Sequence, residues 1–234
     1  MASISSNEFN PSVFHPYYII RSNLFRSIKK YIHYLYGNVL DFGCGSKPYR
    51  NLVVCESYTG VDFENEGHPH DNEMIDVFYD GKSLPFKSEH FDSILCTEVF
   101  EHIFDLSETV RELNRVLKKG GNILITCPFV WKEHELPYDA ARYTLFAIEH
   151  LMVKHGFRKV EVNKSGSFYE TIIQLKILLY YDKFYPFVKK TTLLRIPYKI
   201  FFILIPNLCS VLFKKFFRKD VQLYLNNVAV YQKC

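Results

Sequence analysis

The chain has 234 residues, 48% of them hydrophobic, a formal net charge of +4 and six cysteines. That length suits one sizeable α/β domain with an appendage better than two full domains. The cysteines at 44, 55, 96, 127, 209 and 234 form no Cys-x-x-Cys pair and no metal-ligand spacing, which argues against a disulfide framework or zinc module and for reduced thiols.

The N-terminal "MASISSNEFNPSVFHPYY" has no basic start followed by an apolar run, so no secretory signal is expected and the expected location is cytoplasmic. "HPYYIIRSNLFRSIKKYI" then reads as an amphipathic helix within 17–35, part of a lead-in over residues 1–37. A strand is expected at 38–42, running into the turn "VLDFGCGSKPY". A dinucleotide-binding turn would need a third glycine where Pro48 stands, and a P-loop would need four residues between its glycines, whereas Gly43 and Gly45 are one apart. Asp41 at the strand end would repel a pyrophosphate and attract a ligand carrying positive charge.

Beyond the turn, short apolar runs alternate with helical stretches, the signature of a parallel sheet with helices on its faces. Helices are expected at 46–54, 105–117 and 143–155, and strands at 58–62, 74–77, 93–97, 121–126, 158–163 and 227–233. In such a sheet the ligand sits at the carboxyl ends of the strands. Those ends carry Asp41, then Asp62 in "YTGVDF", then Asp80 and Gly81, then Thr97 and Glu98 in "LCTEVFEH". An acid ending the second strand suits a ribose, because a carboxylate accepts two hydrogen bonds from a diol.

The series "VLDFGCGSKPY", "YTGVDF", "DGKSLPFKSEHFDSILCTEVFEHI" and "ELNRVLKKGGNILITCPF", over about residues 38–130, resembles the class I S-adenosylmethionine-dependent methyltransferases of the small-molecule branch. The resemblance implies a Rossmann-like α/β fold: a seven-stranded, mostly parallel sheet of order 3-2-1-4-5-7-6 whose last strand is antiparallel, in a single domain over 1–234. It implies that Gly43, Cys44 and Gly45 approach the methionine portion of S-adenosylmethionine while Asp41 orients its ammonium group. Asp62 would hold the ribose, Phe63 would pack on the adenine, Asp80 and Gly81 would meet the adenine edge, and Thr97 and Glu98 would floor the site between cosubstrate and acceptor. No metal is expected, because methyl transfer from a sulfonium is an in-line displacement governed by alignment.

Candidates for the acceptor side follow the fifth strand in "PFVWKEHELPYDAARYTLFAIEHLMVKHGF". His134 falls in a loop beyond the strand end and is the expected base or acceptor contact, with anchoring of the loop as the alternative. Asp139, Arg142 and Tyr143 are spaced about one turn apart at an expected helix start, where Asp139 alternatively serves only as a cap. His102, beside Glu101 in "FEHIFD", either shapes the acceptor pocket or satisfies a helix start. The pattern His134-x-x-Pro137-x-Asp139-x-x-Arg142-Tyr143-Thr144 resembles a subset of these enzymes associated with bacterial cell-surface glycan biosynthesis. A glycan or lipid-linked saccharide is therefore the expected acceptor. The alternatives are a lipophilic small molecule such as a quinone precursor, and a non-catalytic scaffold of the same fold.

About sixty residues separate the last two expected strands, and residues 165–220 read as a helical insertion. Residues 183–219 hold nine Lys or Arg and no acid, so removing them from the net +4 leaves −5 for the rest. Residues 200–213 are fourteen consecutive uncharged positions, shorter than the about 20 needed to span a bilayer and interrupted by Pro206. Interfacial contact of residues 183–219 with an anionic membrane surface is expected, peripheral on the inner face, with a soluble helical cap as the alternative. The long aliphatic runs are unlike a nucleic-acid surface.

Overall fold

The apolar runs form strands and the amphipathic stretches form helices in a computed structural model that describes residues 9–63, 75–217 and 220–234. The strands are β1 Asn38–Phe42, β2 Ser57–Phe63, β3 Val77–Tyr79, β4 Phe91–Thr97, β5 Leu117–Pro128, β6 Phe157–Ser165 and β7 Asn226–Lys233. They make one mixed seven-stranded sheet in the order β3-β2-β1-β4-β5-β7-β6, as the family resemblance implies. β1 runs parallel to both β2 and β4, β2 to β3, and β4 to β5.

Strands covered on both faces must be apolar throughout, and here Val39, Leu40 and Phe42 of β1, Ile94, Leu95 and Cys96 of β4, and Ile123, Leu124 and Ile125 of β5 are all buried. Against them pack α2 (Leu106–Val116) and α3 (Leu145–Lys154). α2 is capped by Asp105, which accepts from the Glu108 amide at 3.2 Å, and buries Val110, Leu113 and Val116 on one stripe.

Several boundaries differ from expectation for local reasons. The helix expected at 46–54 is a single 3-10 turn, Arg50–Leu52. Lys47 sits at φ +52° immediately before Pro48, and a residue before proline is pushed out of the helical region. α2 stops at Val116, and β5 begins at Leu117 rather than at 121, taking in Lys118, Lys119 and Gly120, with Leu117 paired to Phe91 across an irregularity between Phe91 and Ser93. β3 starts at Val77, later than expected, and residue 74 lies outside the described residues. α3 starts at Leu145, with the Thr144 hydroxyl accepting from the Ala147 amide at 3.2 Å.

The chain divides into two compact units, residues 28–163 with 227–234, and residues 1–27 with 164–226. The first carries the sheet and its core. The second gathers the N-terminal turns of α1 (Tyr18–Tyr31) with α4 (Phe168–Leu179), α5 (Tyr185–Val188), α6 (Thr192–Lys199) and α7 (Ile205–Phe217), so the expected lead-in and insertion fall largely together. Its helices are clamped by polar groups. Gln174 donates to the Pro16 carbonyl at 2.8 Å and accepts from the Ile20 amide at 3.1 Å, and Asn207 donates to the Val13 carbonyl at 2.8 Å. The buried Glu170 carboxylate closes a capping box with Ser167, accepts from Asn23 at 3.1 Å and pairs with Lys214 at 3.1 Å.

Lys214→Met should lower stability by roughly 3 kcal/mol, because it strands the buried Glu170 charge, whereas Lys215→Met at an exposed position should change it by under about 0.5 kcal/mol. Denaturant unfolding of the two variants checks this.

Candidate active site

The carboxyl ends of β1, β2 and β4 open onto a cleft of about 980 Å³. Its walls include Gly43, Gly45, Asp62, Phe63, Gly81, Glu98 and His102 among the residues expected from sequence. Asp41, Cys44, Asp80, Thr97, His134, Asp139, Arg142 and Tyr143 are not among its lining residues.

The turn after β1 is held to β2 by its own backbone. The Gly43 and Cys44 amides donate to the Val61 carbonyl at 2.9 and 3.2 Å, and the Gly45 amide donates to Asp62 Oδ2 at 2.7 Å. Gly43 has φ +70°, and a Cβ there would lie 2.3 Å from Val99 Cγ2, so both conformation and space require glycine. Asp62 also accepts from the Phe63 amide at 2.8 Å, and a carboxylate's remaining lone pairs leave room for a diol. Phe63 and Gly81 (φ +76°) face each other: a Cβ on Gly81 would come within 3.1 Å of Phe63 Cε2. A flat ring system fits such a wall.

Asp41 and Asp80 support this wall from behind. Asp41 is 2% exposed and accepts from the Tyr58 hydroxyl at 2.5 Å. Burial pushes its carboxyl up to about 7, with the Tyr58 hydrogen bond opposing and Asp62 adding to the rise. Cys44 is likewise buried, and desolvation drives its thiol far upward. Asp80 folds over its own turn, Oδ1 accepting from the Lys82 and Ser83 amides at 2.9 and 3.0 Å. Three further residues that sequence reading passed over complete the support. Asp76 accepts from Gly60 at 2.6 Å and from Lys47 at 2.7 Å, while Glu112 accepts from the Leu84 amide at 3.0 Å and from Arg115, which also binds the Leu84 and Phe86 carbonyls.

At the far end stands Glu98, in the left-handed region at φ +55°, uncommon for a residue with a side chain. The strain is held by two bonds to Thr126, from the Glu98 amide to its carbonyl at 2.9 Å and from its hydroxyl to Glu98 Oε1 at 2.8 Å. Next to it a 3-10 turn, Phe100–His102, brings His102 into the cleft, where Glu135 and Tyr138 meet it. The Tyr138 carbonyl lies 3.0 Å from His102 Nδ1, which assigns the proton to Nδ1 and leaves Nε2 as the acceptor nitrogen.

The loop between β5 and α3 is built differently from the expected helix start. Asp139 is not a cap. Its carboxylate accepts from Arg142 through both terminal nitrogens at 2.5 and 2.7 Å and from the His134 amide at 3.0 Å, locking residues 134–142 as a loop. The Arg142 guanidinium holds the Asp139 carboxyl down to about 2. The Glu101 carbonyl ties this loop to the 3-10 turn by accepting from the Ala140 and Ala141 amides at 2.7 and 3.1 Å. His134 packs edge-on against His102 with ring centroids 4.8 Å apart, and burial, then the neighbouring His102, lowers its pKa. Tyr143 packs against the sheet core and gives its carbonyl to Asn227 at 2.8 Å.

Residues 40–125 match the family model described as "Methyltransferase domain". This is the methyltransferase fold. The chain is 34% identical over 100 residues to a demethylmenaquinone methyltransferase of Streptomyces griseus, covering 39% of this chain and 42% of that protein. It is 38% identical over 58 residues to an uncharacterized methyltransferase, YcgJ, of Bacillus subtilis, covering 25% and 21%. In each case the chain spans less than half of the relative's length. Among solved structures, the [4+2]-cyclase SpnF superposes with a TM-score of 0.56 at 15% identity over 92% of this chain and 82% of that one. Phosphoethanolamine N-methyltransferase 2 of Haemonchus contortus, solved with S-adenosyl-L-methionine, superposes with a TM-score of 0.53 at 16% identity over 99% and 60%. These structural likenesses establish the fold.

One consequence within this methyltransferase fold concerns the loop clamp. The Asp139 carboxyl is depressed in the folded state, so its contribution is present above the unfolded value of about 3.9 and is lost as the pH falls toward about 2. Asp139→Asn should therefore cost about 2 to 3 kcal/mol at neutral pH and almost nothing near pH 2. Denaturant unfolding of both proteins across that range reads the difference.

Proposed function

We propose that the chain is an S-adenosylmethionine-dependent methyltransferase acting on a hydroxyl-bearing, lipid-linked saccharide or a related lipophilic acceptor. The observation that carries this reading is the Gly43–Gly45 turn bound to Asp62 beside the Phe63–Gly81 wall, all in one cleft within a matched methyltransferase domain. In this reading the turn admits the methionine portion, Asp62 takes the ribose hydroxyls and the adenine lies against Phe63. Asp41 acts by supporting the turn, and Asp80 by shaping the adenine end.

The chemistry needs no covalent intermediate. An acceptor lone pair attacks the methyl carbon in line with the departing sulfur, leaving S-adenosylhomocysteine, and the acceptor loses a proton. Glu98, His102, Glu135 and Tyr138 surround the place where the acceptor would enter. His102 is the imidazole that lines the cleft at that point, and His134, the base expected from sequence, packs edge-on against it.

Calorimetric titration should show binding of S-adenosylmethionine and S-adenosylhomocysteine, weakened at least tenfold by Asp62→Ala. His102→Ala should retain that binding and lose turnover by two orders of magnitude or more with an accepted substrate found among nucleotide sugars, lipid-linked sugars and quinone precursors. Absence of binding to either cosubstrate form would instead favour a non-catalytic scaffold. The named activity of the Streptomyces griseus relative supports including the quinone precursors.

The helical unit supports a second element of the proposal, contact with an anionic membrane surface. Its interior is unusually polar, with Asn23, Glu170, Thr171, Gln174, Asn207 and Ser210 buried, while Phe187, Leu193, Phe201, Leu212 and Phe216 are 64% to 83% exposed. Residues Thr192–Phe217 are continuously helical over 26 residues, about 39 Å, so the helix, unlike the fourteen-residue uncharged run within it, is long and apolar enough to cross a bilayer. Arg195 and Lys199 in its first half, with Lys215 near its end, are exposed and favour a helix lying in the interface, apolar side chains down and charged groups among anionic headgroups. The protein should float with vesicles containing anionic lipid and remain in solution with neutral ones. Recovery in solution with both would remove the membrane from the proposal.

A further inference from the structure

We propose that Glu101, His102 and His134 bind a divalent transition-metal ion beside the acceptor end of the cleft. One ligand atom from each of these side chains lies within 4.8 Å of the other two, so bonds of about 2.0–2.2 Å to one ion require shifts of only about 1 Å. Two imidazoles and a carboxylate on one side of an ion are the ligand set of open-sided sites, which keep free positions for a substrate oxygen or water.

The strongest sign is Glu101. It is completely buried, yet neither carboxylate oxygen has a hydrogen-bond partner. His102 Nε2, at 3.8 Å from Oε1, is beyond hydrogen-bond reach. Arg142, whose charge also reaches Glu101, directs both terminal nitrogens to Asp139. A carboxylate in that position must hold either a proton or a cation.

The outer contacts of the two histidines choose the cation. A metal-bound imidazole characteristically donates its remote N–H to a carbonyl or a carboxylate, which fixes the tautomer and aims the other nitrogen. His102 places Nδ1 3.0 Å from the Tyr138 carbonyl. His134 is tied to Asp139 through its backbone amide at 3.0 Å, and its Nδ1, 3.5 Å from Asp139 Oδ2, is buried without a hydrogen bond beside a carboxylate that Arg142 fixes. The Nδ1 contact leaves Nε2 of His102 as its ligand atom, 3.8 Å from Glu101 and 3.6 Å from Glu135, His134 brings an imidazole nitrogen without a hydrogen bond, and the His134-Asp139-Arg142 spacing gains a purpose beyond loop closure. Ion binding by these side chains does not depend on methyl transfer. Its use, to acidify an acceptor hydroxyl bound at an open position, does.

The test is a titration of chelator-stripped, full-length protein with Co²⁺, followed by absorption and by proton NMR. One equivalent should bind with weak visible bands and no intense near-ultraviolet thiolate band, which separates this site from the six cysteines, and with two shifted, exchangeable imidazole N–H signals. Glu101→Gln and His134→Gln should each weaken binding at least tenfold while S-adenosylhomocysteine affinity stays unchanged. Should either variant fail to fold, the two imidazole signals of the unmodified protein decide the question. No stoichiometric nitrogen- and oxygen-ligated Co²⁺, fewer than two such signals, or undiminished binding in folded variants would overturn the site and leave Glu101 holding a proton. Loss of S-adenosylhomocysteine binding alone would instead count against the methyltransferase reading.

Discussion

The cleft depends on one constraint, that β1 lies between two parallel neighbours and must release its chain at the same edge where they release theirs. A buried parallel strand has no solvent to satisfy the backbone groups that follow it. The solution here is the Gly43–Gly45 turn, whose amides are taken by the Val61 carbonyl and the Asp62 carboxylate of the neighbouring strand. That arrangement fixes the turn and Asp62 relative to each other, so the two walls of the cosubstrate end are one mechanical unit. Asp41 and Tyr58 back the turn, and Lys47 and Asp76 tie it to the start of β3.

The acceptor end obeys a different logic. It is made from segments that no regular element holds, the 3-10 turn after β4 and the loop after β5, and charge stands in for secondary structure. Arg142 organises the loop through Asp139, Glu101 accepts two of its amides through its main-chain carbonyl, and strain is retained at Glu98 and Glu135, both at positive φ. Polar groups with little freedom to move are concentrated where a reacting oxygen would have to be aligned, which is the use to which preorganised charge is best put.

In the helical unit buried polar side chains join the helices beside Ile19, Leu24, Ile177 and Ile203, and many large apolar side chains are exposed. Such an arrangement makes sense if the surroundings of the outer face are themselves apolar. The excess of basic residues along the same helices gives the electrostatic half of that match.

By itself the sequence determined the strands and the glycine turn, because buried parallel strands must be apolar and a backbone at φ +70° against Val99 admits only glycine, while the strand order came with the resemblance of the ordered motifs to a known family. It also located Asp62, Phe63, Gly81, Glu98 and His102, since acids, aromatics and glycines at strand ends are conspicuous in a linear pattern. What only the tertiary structure decided was proximity between segments. His134 lies 32 positions after His102, and nothing in that spacing reveals that their rings touch or that the Glu101 carboxylate is buried without a hydrogen-bond partner. Nor does a one-turn spacing distinguish a helix start from a clamp, and Asp139 and Arg142 are the latter because the loop binds back on the Glu101 carbonyl and the helix starts only at Leu145. Local pattern encodes conformation, but burial and the meeting of distant side chains arise only when the chain closes on itself.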